Sequence, residues 1–285
     1  MGIKIISDST AYIDKSLQEE LNIKILPLSI HFPDESYLET DIDYDYFYNK
    51  IERTGIIPTS SQPSAGEIYE AFEAAIADGD DVLGIFISST MSGTYASALS
   101  SKEQLQKKYP SCVIEVFDSH TNCMALGLQV LAAARAAKAG RNLQEALQAA
   151  GAARDRVRFY FVPETLKYLK KGGRIGTASA LLGSILNIRP ILTVDMDKGM
   201  THLLEKCRGT TNAVKRILNL MEEDSNKFGL QEIIVHHINA PVKAMQLKHN
   251  LMDLYSLPIS VCTIGPVIGL HTGLGTVGVV YCTES

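Results

Sequence analysis

At 285 residues the chain is long enough for about two domains of roughly 150 residues each. Hydrophobic residues make up 46% and charged residues 21%, a balance that buries a core and excludes intrinsic disorder. With 27 basic and 32 acidic residues the net charge is −5, which argues against a nucleic-acid surface, since phosphate binding needs concentrated Lys and Arg. Asp8 interrupts the stretch where a secretory signal would keep an unbroken apolar run. Five cysteines (Cys112, Cys123, Cys207, Cys262 and Cys282) are odd in number and nowhere spaced C-x-x-C. They read as reduced thiols of a cytoplasmic protein, with no zinc site or disulfide frame.

In chain order, the first half alternates short apolar runs with amphipathic stretches. Strands are predicted at 3–6, 23–30, 82–87 and 113–117, and helices at 43–53, 64–77, 94–108 and 122–139. Continuous β-branched runs flanked by helices indicate parallel strands covered on both faces. Ser64 with Glu67 three residues on is a capping box opening the second of these helices. A second layout begins near residue 157. Its predicted elements are a strand at 157–162, a helix at 164–171 ended by Gly172-Gly173, and a small-residue helix at 178–186. Strands at 190–194 and 203–206 follow, joined through the Asp197-Lys198-Gly199 turn. A helix at 210–223, a strand at 232–237, a helix at 241–254 and strands at 259–263 and 277–281 complete the chain. The boundary is placed in 151–156, giving α/β domains over 1–156 and 157–285.

Residues 254–283 contain no Asp, Glu, Lys or Arg and are long enough to span a bilayer. Pro258, Pro266 and five glycines inside that run break any spanning helix too often, so buried strands joined by tight turns are expected instead. The protein is read as soluble.

Three strand ends of the first half run into polar residues: Ser7-Asp8-Ser9, Ser88-Ser89 and Asp118-Ser119. In open parallel sheets ligands bind beyond the carboxyl ends of the strands. Helix capping explains any one of these groups equally simply. Their convergence on one edge favours a polar crevice. Two loops, Pro-Thr-Ser-Ser-Gln-Pro-Ser at 58–64 and Ser-Ser-Thr-Met-Ser-Gly-Thr at 88–94, place hydroxyls just before helices, where an anion meets side-chain and backbone donors. Neither contains a P-loop lysine. Gly273, Gly275 and Gly278 match G-x-G-x-x-G, but the few residues after Gly278 leave no room for the helix and strand that a dinucleotide site needs. His271, among these glycines, is either a structural histidine or one that a closely approaching ligand meets. Lys170-Lys171-Gly172-Gly173 reads as a helix end. Arg174 lies beyond that cap and is a candidate anion contact, as is Arg208 before the Thr210-Thr211 helix start.

Taken together these pieces resemble the DegV family of bacterial fatty-acid-binding proteins. The resemblance is carried by Asp8-Ser9, Ser-Ser-Gln-Pro-Ser (60–64), Ser-Ser-x-x-Ser-Gly-Thr-Tyr (88–95), Asp118-Ser119 and Leu-Lys-Lys-Gly-Gly-Arg-Ile (169–175). It continues through Arg-Pro-Ile-Leu (189–192), Lys-x-Arg (206–208) and Gly-Pro-Val-Ile-Gly-x-His-x-Gly-x-Gly (265–275), in order along the whole chain. It implies a two-domain DegV-like (EDD) α/β fold, with an N-terminal parallel sheet and a C-terminal domain with a mixed sheet. A buried long-chain fatty acid such as palmitate, stearate or oleate is implied as ligand, its carboxylate near the domain junction. Ser60, Ser92 and His271 map onto the carboxylate-binding positions, with Ser61, Gly93 and Thr272 beside them. Arg174 and Arg208 map onto arginines that present the head group to a partner, an ATP-dependent fatty acid kinase. Neither a cofactor nor a metal is implied. Leu274 stands where many relatives have proline, a departure that removes no functional group.

Two functions compete. The first is a non-catalytic lipid carrier whose carboxylate is phosphorylated by the separate kinase. The second is a serine hydrolase or acyltransferase using Ser92, Asp118 and His271, whose order matches that of α/β-hydrolases. Thr90 occupies the position where a nucleophile elbow requires glycine, so only half of that motif is present.

Overall fold

The computed structural model describes residues 2–181 and 188–285. They form two units, the first comprising Met1–Ile42, Thr59–Asp155 and Met196–Gly199, the second Asp43–Pro58, Arg156–Asp195 and Met200–Ser285.

Elements of the first unit are β1 (Ile3–Asp8), α1 (Lys15–Glu20), β2 (Ile23–Leu26), β3 (Ser29–His31) and β4 (Ser36–Leu38). After α2 (Tyr44–Thr54), which belongs to the second unit, come β5 (Thr59–Ser61), α3 (Ala65–Ala77), β6 (Asp81–Phe86), α4 (Thr94–Lys108), β7 (Ile114–Asp118), α5 (Cys123–Lys138) and α6 (Leu143–Arg156). The main sheet has the order β2-β1-β6-β7, all parallel. Its strands are apolar on both faces because helices cover both. Ile6 and Phe86 pack with Phe72 of α3 and Leu105 of α4, and the Phe72 and Phe86 rings stack at 6.4 Å. Ser64 starts α3 through the expected capping box, accepting from Glu67 N while the Glu67 carboxylate accepts from Ser64 N. The run expected as one strand over 23–30 is broken at Pro27, which cannot donate to a ladder. Its two pieces enter different sheets, since β3 joins the small antiparallel sheet β4-β3-β5.

The second unit continues with β8 (Val157–Val162), α7 (Lys167–Gly172), a 3₁₀ turn (Gly176–Leu181), β9 (Ile188–Asp195) and β10 (Met200–Arg208). Then follow α8 (Thr210–Phe228), β11 (Leu230–His237), α9 (Pro241–Met252), β12 (Ile259–Thr263), α10 (Pro266–Thr272) and β13 (Val277–Thr283). The sheet order is β10-β9-β8-β13-β11-β12; only the β11–β12 pair is parallel, so the sheet is mixed. Ala213, Ile217 and Met221 of α8 and Ala244, Leu247 and Leu251 of α9 recur at helical spacing and pack on Ile191, Val235, Val279 and Tyr281.

Two sequence expectations change here. The 43–53 helix is not part of the first unit, contrary to a 1–156 division: α2 clusters with the second. The buried Tyr48 donates its hydroxyl to Ile264 O at 3.0 Å and lies against Gly269, where a Cβ would come within 2.2 Å of Tyr48 Oη. The small-residue helix expected at 178–186 is described only to Leu181, as the 3₁₀ turn; 182–187 lie outside the described residues. The charge-free C-terminal run is divided among β12, α10 and β13, and no described helix is long and apolar enough to cross a membrane.

Candidate functional site

In the first unit, the sheet's carboxyl edge carries the expected polar groups, but most of them are engaged with the fold. Asp8 is fully buried and accepts from Thr10 N at 3.0 Å, Thr10 Oγ1 and Ile87 N at 2.8 Å. It thereby ties β1 to the end of β6, and burial still pushes its carboxyl above the ordinary range. Asp118 accepts from Ser89 N and His120 N, and Ser119 closes a turn with Thr121. Ser88 and Thr90 both donate to Gly199 O. Of these only Asp8 caps a helix, the 3₁₀ turn Ser9–Ala11; Ser88, Asp118 and Ser119 are engaged in turns and loop contacts, and neither α4 nor α5 begins with a side-chain cap.

The two hydroxyl loops are brought together. Gln62 lies against Gly93, where any Cβ would sit 2.2 Å from Gln62 Oε1, and Gln62 Nε2 donates to Ser97 Oγ on α4 at 2.7 Å. With its φ of −76° open to any residue, what Gly93 supplies is space: a Cβ there would oblige the Gln62 amide to shift. Ser92 Oγ accepts from Thr94 N at 3.3 Å and lies 2.8 Å from Thr94 Oγ1. When the buried Thr94 hydroxyl donates, both Ser92 lone pairs are filled and the Ser92 O–H is left to donate elsewhere. On β5 successive side chains alternate, so Ser60 and Ser61 point to opposite faces. Ser61 Oγ pairs with His31 Nε2 at 2.8 Å, and His31 Nδ1 with Ser36 Oγ at 2.8 Å. Ser60 shares its face with the fully buried Ile30. On this strand the Ser60 and Ser61 side chains therefore cannot both face one point.

In the second unit, His271 and Thr272 lie not in a loop but at the end of α10. Pro266 occupies its first turn, where a missing N–H costs nothing, and Gly273, with φ +100°, ends it. Gly172 faces the His271 ring so closely that a Cβ there would approach Nδ1 to 2.2 Å. The Gly-Gly pair ending α7 thus has two separate duties: Gly173, with φ +70°, is the helix cap, and Gly172 makes room for the imidazole. Arg174 is exposed and donates to Gly172 O at 2.6 Å, close enough for its charge to reach His271. The structure does not join Arg174 to Arg208. The 3₁₀ turn after Arg174 rests on Thr201 and Leu203 through Gly176 and Thr177. Arg208 ends the same strand about 15 Å further on, at ~3.3 Å per residue.

The profile of the DegV family, described as a family of uncharacterised proteins, matches residues 2–284. The chain belongs to the DegV family. A DegV domain-containing protein of Clostridium acetobutylicum is 43% identical over 284 residues, covering 100% of this chain and 99% of its own length. The crystal structure of DegV from Bacillus subtilis, titled a fatty acid binding protein, superposes with a TM-score of 0.87 at 32% identity, covering 99% of each chain. A stearic acid-binding protein from Eubacterium ventriosum superposes with a TM-score of 0.88 at 25% identity over 99% of this chain and 98% of its own.

Within this DegV protein, motif reading proposes Ser60, Ser92, His271 and the arginines as site residues, but it does not point to the residues packed against them. Gln62 and Gly172 stand inside quoted motifs, yet only the fold shows what each touches. His236 carried no signal beyond its strand position. It is 3% exposed, its ring edge-on to Phe159 at 5.4 Å, and both ring nitrogens are buried with no hydrogen-bond partner among the described residues. Its neighbour His237 faces the other way, accepting from Ala240 N and pairing with Thr263 Oγ1.

Burial, with the nearby His237, holds His236 down to about 3; burial, then Arg174, holds His271 down to about 4. Both imidazoles are neutral at pH 7. The unfolded chain takes up these protons near 6.5 and the folded chain refuses them, so stability falls as pH drops below 6.5. Replacing His236 with Phe is expected to remove up to about 1.4 kcal/mol per pH unit from this acid slope. Urea denaturation between about pH 7 and pH 4.5 measures it, and an unchanged slope contradicts the assignment.

Proposed function

We propose that this protein is a non-catalytic carrier that encloses one long-chain fatty acid and presents its carboxylate to an ATP-dependent fatty acid kinase. The observation that carries this reading is the end-to-end similarity to fatty acid binding DegV of B. subtilis, with the hydroxyl loops and His271 folded in this chain as described. In this reading Ser60 and Ser92 donate to the carboxylate, and neutral His271 contributes its ring N–H. A carboxylate removed from water loses several kcal/mol of solvation, which such donors replace. Each enclosed methylene contributes about 0.8 kcal/mol, so a long chain supplies more than ~10 kcal/mol before ordering costs. Palmitate, stearate and oleate meet this requirement. Arg174 and Arg208 are assigned to steadying charge that develops on the head group during phosphoryl transfer. Arg208 is exposed, its side chain engaged by no other among the described residues. The setting proposed is the bacterial cytoplasm.

Native mass spectrometry of protein purified from bacteria is expected to show one fatty acid per chain, with Ser92→Ala retaining at least several-fold less. Equal occupancy in the variant contradicts the role of Ser92, and covalent labelling of Ser92 by a fluorophosphonate would make the protein a hydrolase. Arg174→Ala is expected to keep the bound lipid while lowering acyl-phosphate yield with a cognate kinase about tenfold or more, a loss of ~1.4 kcal/mol in coupling. Parallel loss of lipid and yield would make Arg174 structural.

A further inference from the structure

A cavity of about 500 Å3 opens in the second unit between α8 and α9, and none of its lining residues is one assigned above to the fatty acid. Its volume lies within the ~300–1,000 Å3 range of small-molecule sites. The floor is apolar: Val214 and Leu218 come from α8, Leu247 from α9 and Val277 from β13. Leu247 belongs to the buried cluster on the α8/α9 side of the sheet. Phe159 and His236 stand at alternate strand positions, on the opposite face.

The walls are polar and carry more positive than negative charge. Lys215 and Lys243 line the cavity with one acid, Glu164. That acid is matched already: it pairs with Lys243 at 2.7 Å and with Arg189 at 2.7 Å, and the Lys243 ammonium first, then Arg189, holds its carboxyl below the ordinary range. Lys215 has no acidic partner among the described residues, and Thr210, Thr211, Gln246 and Asn250 make no side-chain hydrogen bond with one another or with any described residue. A greasy floor, an unmatched ammonium and four unengaged polar side chains are complementary to a molecule with one anionic end and one short apolar end.

We propose that the α8–α9 cavity is a second ligand site for a small amphipathic anion, an alkyl phosphate in its simplest form. Lys215 supplies the charge, Thr210 and Thr211 hydrogen-bond the head group, and Val214, Leu218, Leu247 and Val277 receive the apolar part. The site is independent of the fatty acid proposed above, and it fills whether or not that lipid is present.

Octyl phosphate titrated into the lipid-loaded protein, followed by amide NMR shifts, tests this. Saturable shifts are expected at Thr211, Val214, Gln246 and Asn250, with octanol binding at least about tenfold more weakly, the scale of one hydrogen bond to a charged group. Lys215→Glu, at an exposed position, is expected to weaken octyl phosphate by roughly tenfold or more. Asn250→Trp, also exposed, fills the cavity and is expected to abolish binding. In both variants the co-purified lipid is unchanged. Absence of saturable shifts at these amides, equal binding of octanol, or unaltered affinity in both variants overturns the proposal. Absence of a co-purified fatty acid from the wild type overturns the carrier reading alone.

Discussion

A carboxylate leaves water only where hydrogen-bond donors meet it that the fold has not already engaged. That constraint sorts the polar residues of this chain more sharply than their positions in sequence do. Asp8, itself an acceptor, is surrounded by Thr10 and Ile87 N–H and O–H groups, and Ser88 and Thr90 give their protons to one carbonyl. Ser92 is different in kind. It accepts from Thr94 N, and when the Thr94 hydroxyl also donates to it, its own O–H is the group with somewhere to go. His271 is different for another reason: burial keeps it neutral, so its ring carries no positive charge into an apolar setting.

The packing around these residues is specific to each of them. At Gly93 the Gln62 amide occupies the space that a Cβ would take, and through Gln62 the Ser-Gln-Pro segment is fastened to α4. Gly172 is needed because the imidazole of His271 lies over it. Neither glycine has a positive φ, so what each supplies is space rather than a special backbone conformation. Gly173 is the contrasting case, a left-handed cap that would be glycine in many helices of no functional interest.

Much of the architecture was legible because local signals and global fold agree. The capping box at Ser64, the charge-free run resolved into β12, α10 and β13, and the alternating elements of the first half all follow from pattern. Pro27 was a visible breaker passed over in a strongly β-branched run. The affiliation of α2 could not be read, because it rests on Tyr48 meeting Ile264 and Gly269, more than two hundred residues away. The opposite facing of Ser60 and Ser61 follows from strand periodicity once β5 is known to be a strand, but a three-residue strand has too short a pattern to announce itself. The short helix that carries His271 gave no periodic signal, although Pro266 and Gly273 bracket it in the way helices begin and end.

The central claim is that the bound acid's head group is gripped by hydroxyls and a neutral imidazole. Carboxyl-13C NMR of carboxyl-labelled oleate on the protein reads that grip directly. The account requires a slowly exchanging carboxyl resonance, distinct from free oleate, that moves when either Ser92 or His271 is replaced with alanine. A resonance identical in the wild type and both variants, or one that titrates as the free acid does, would contradict it.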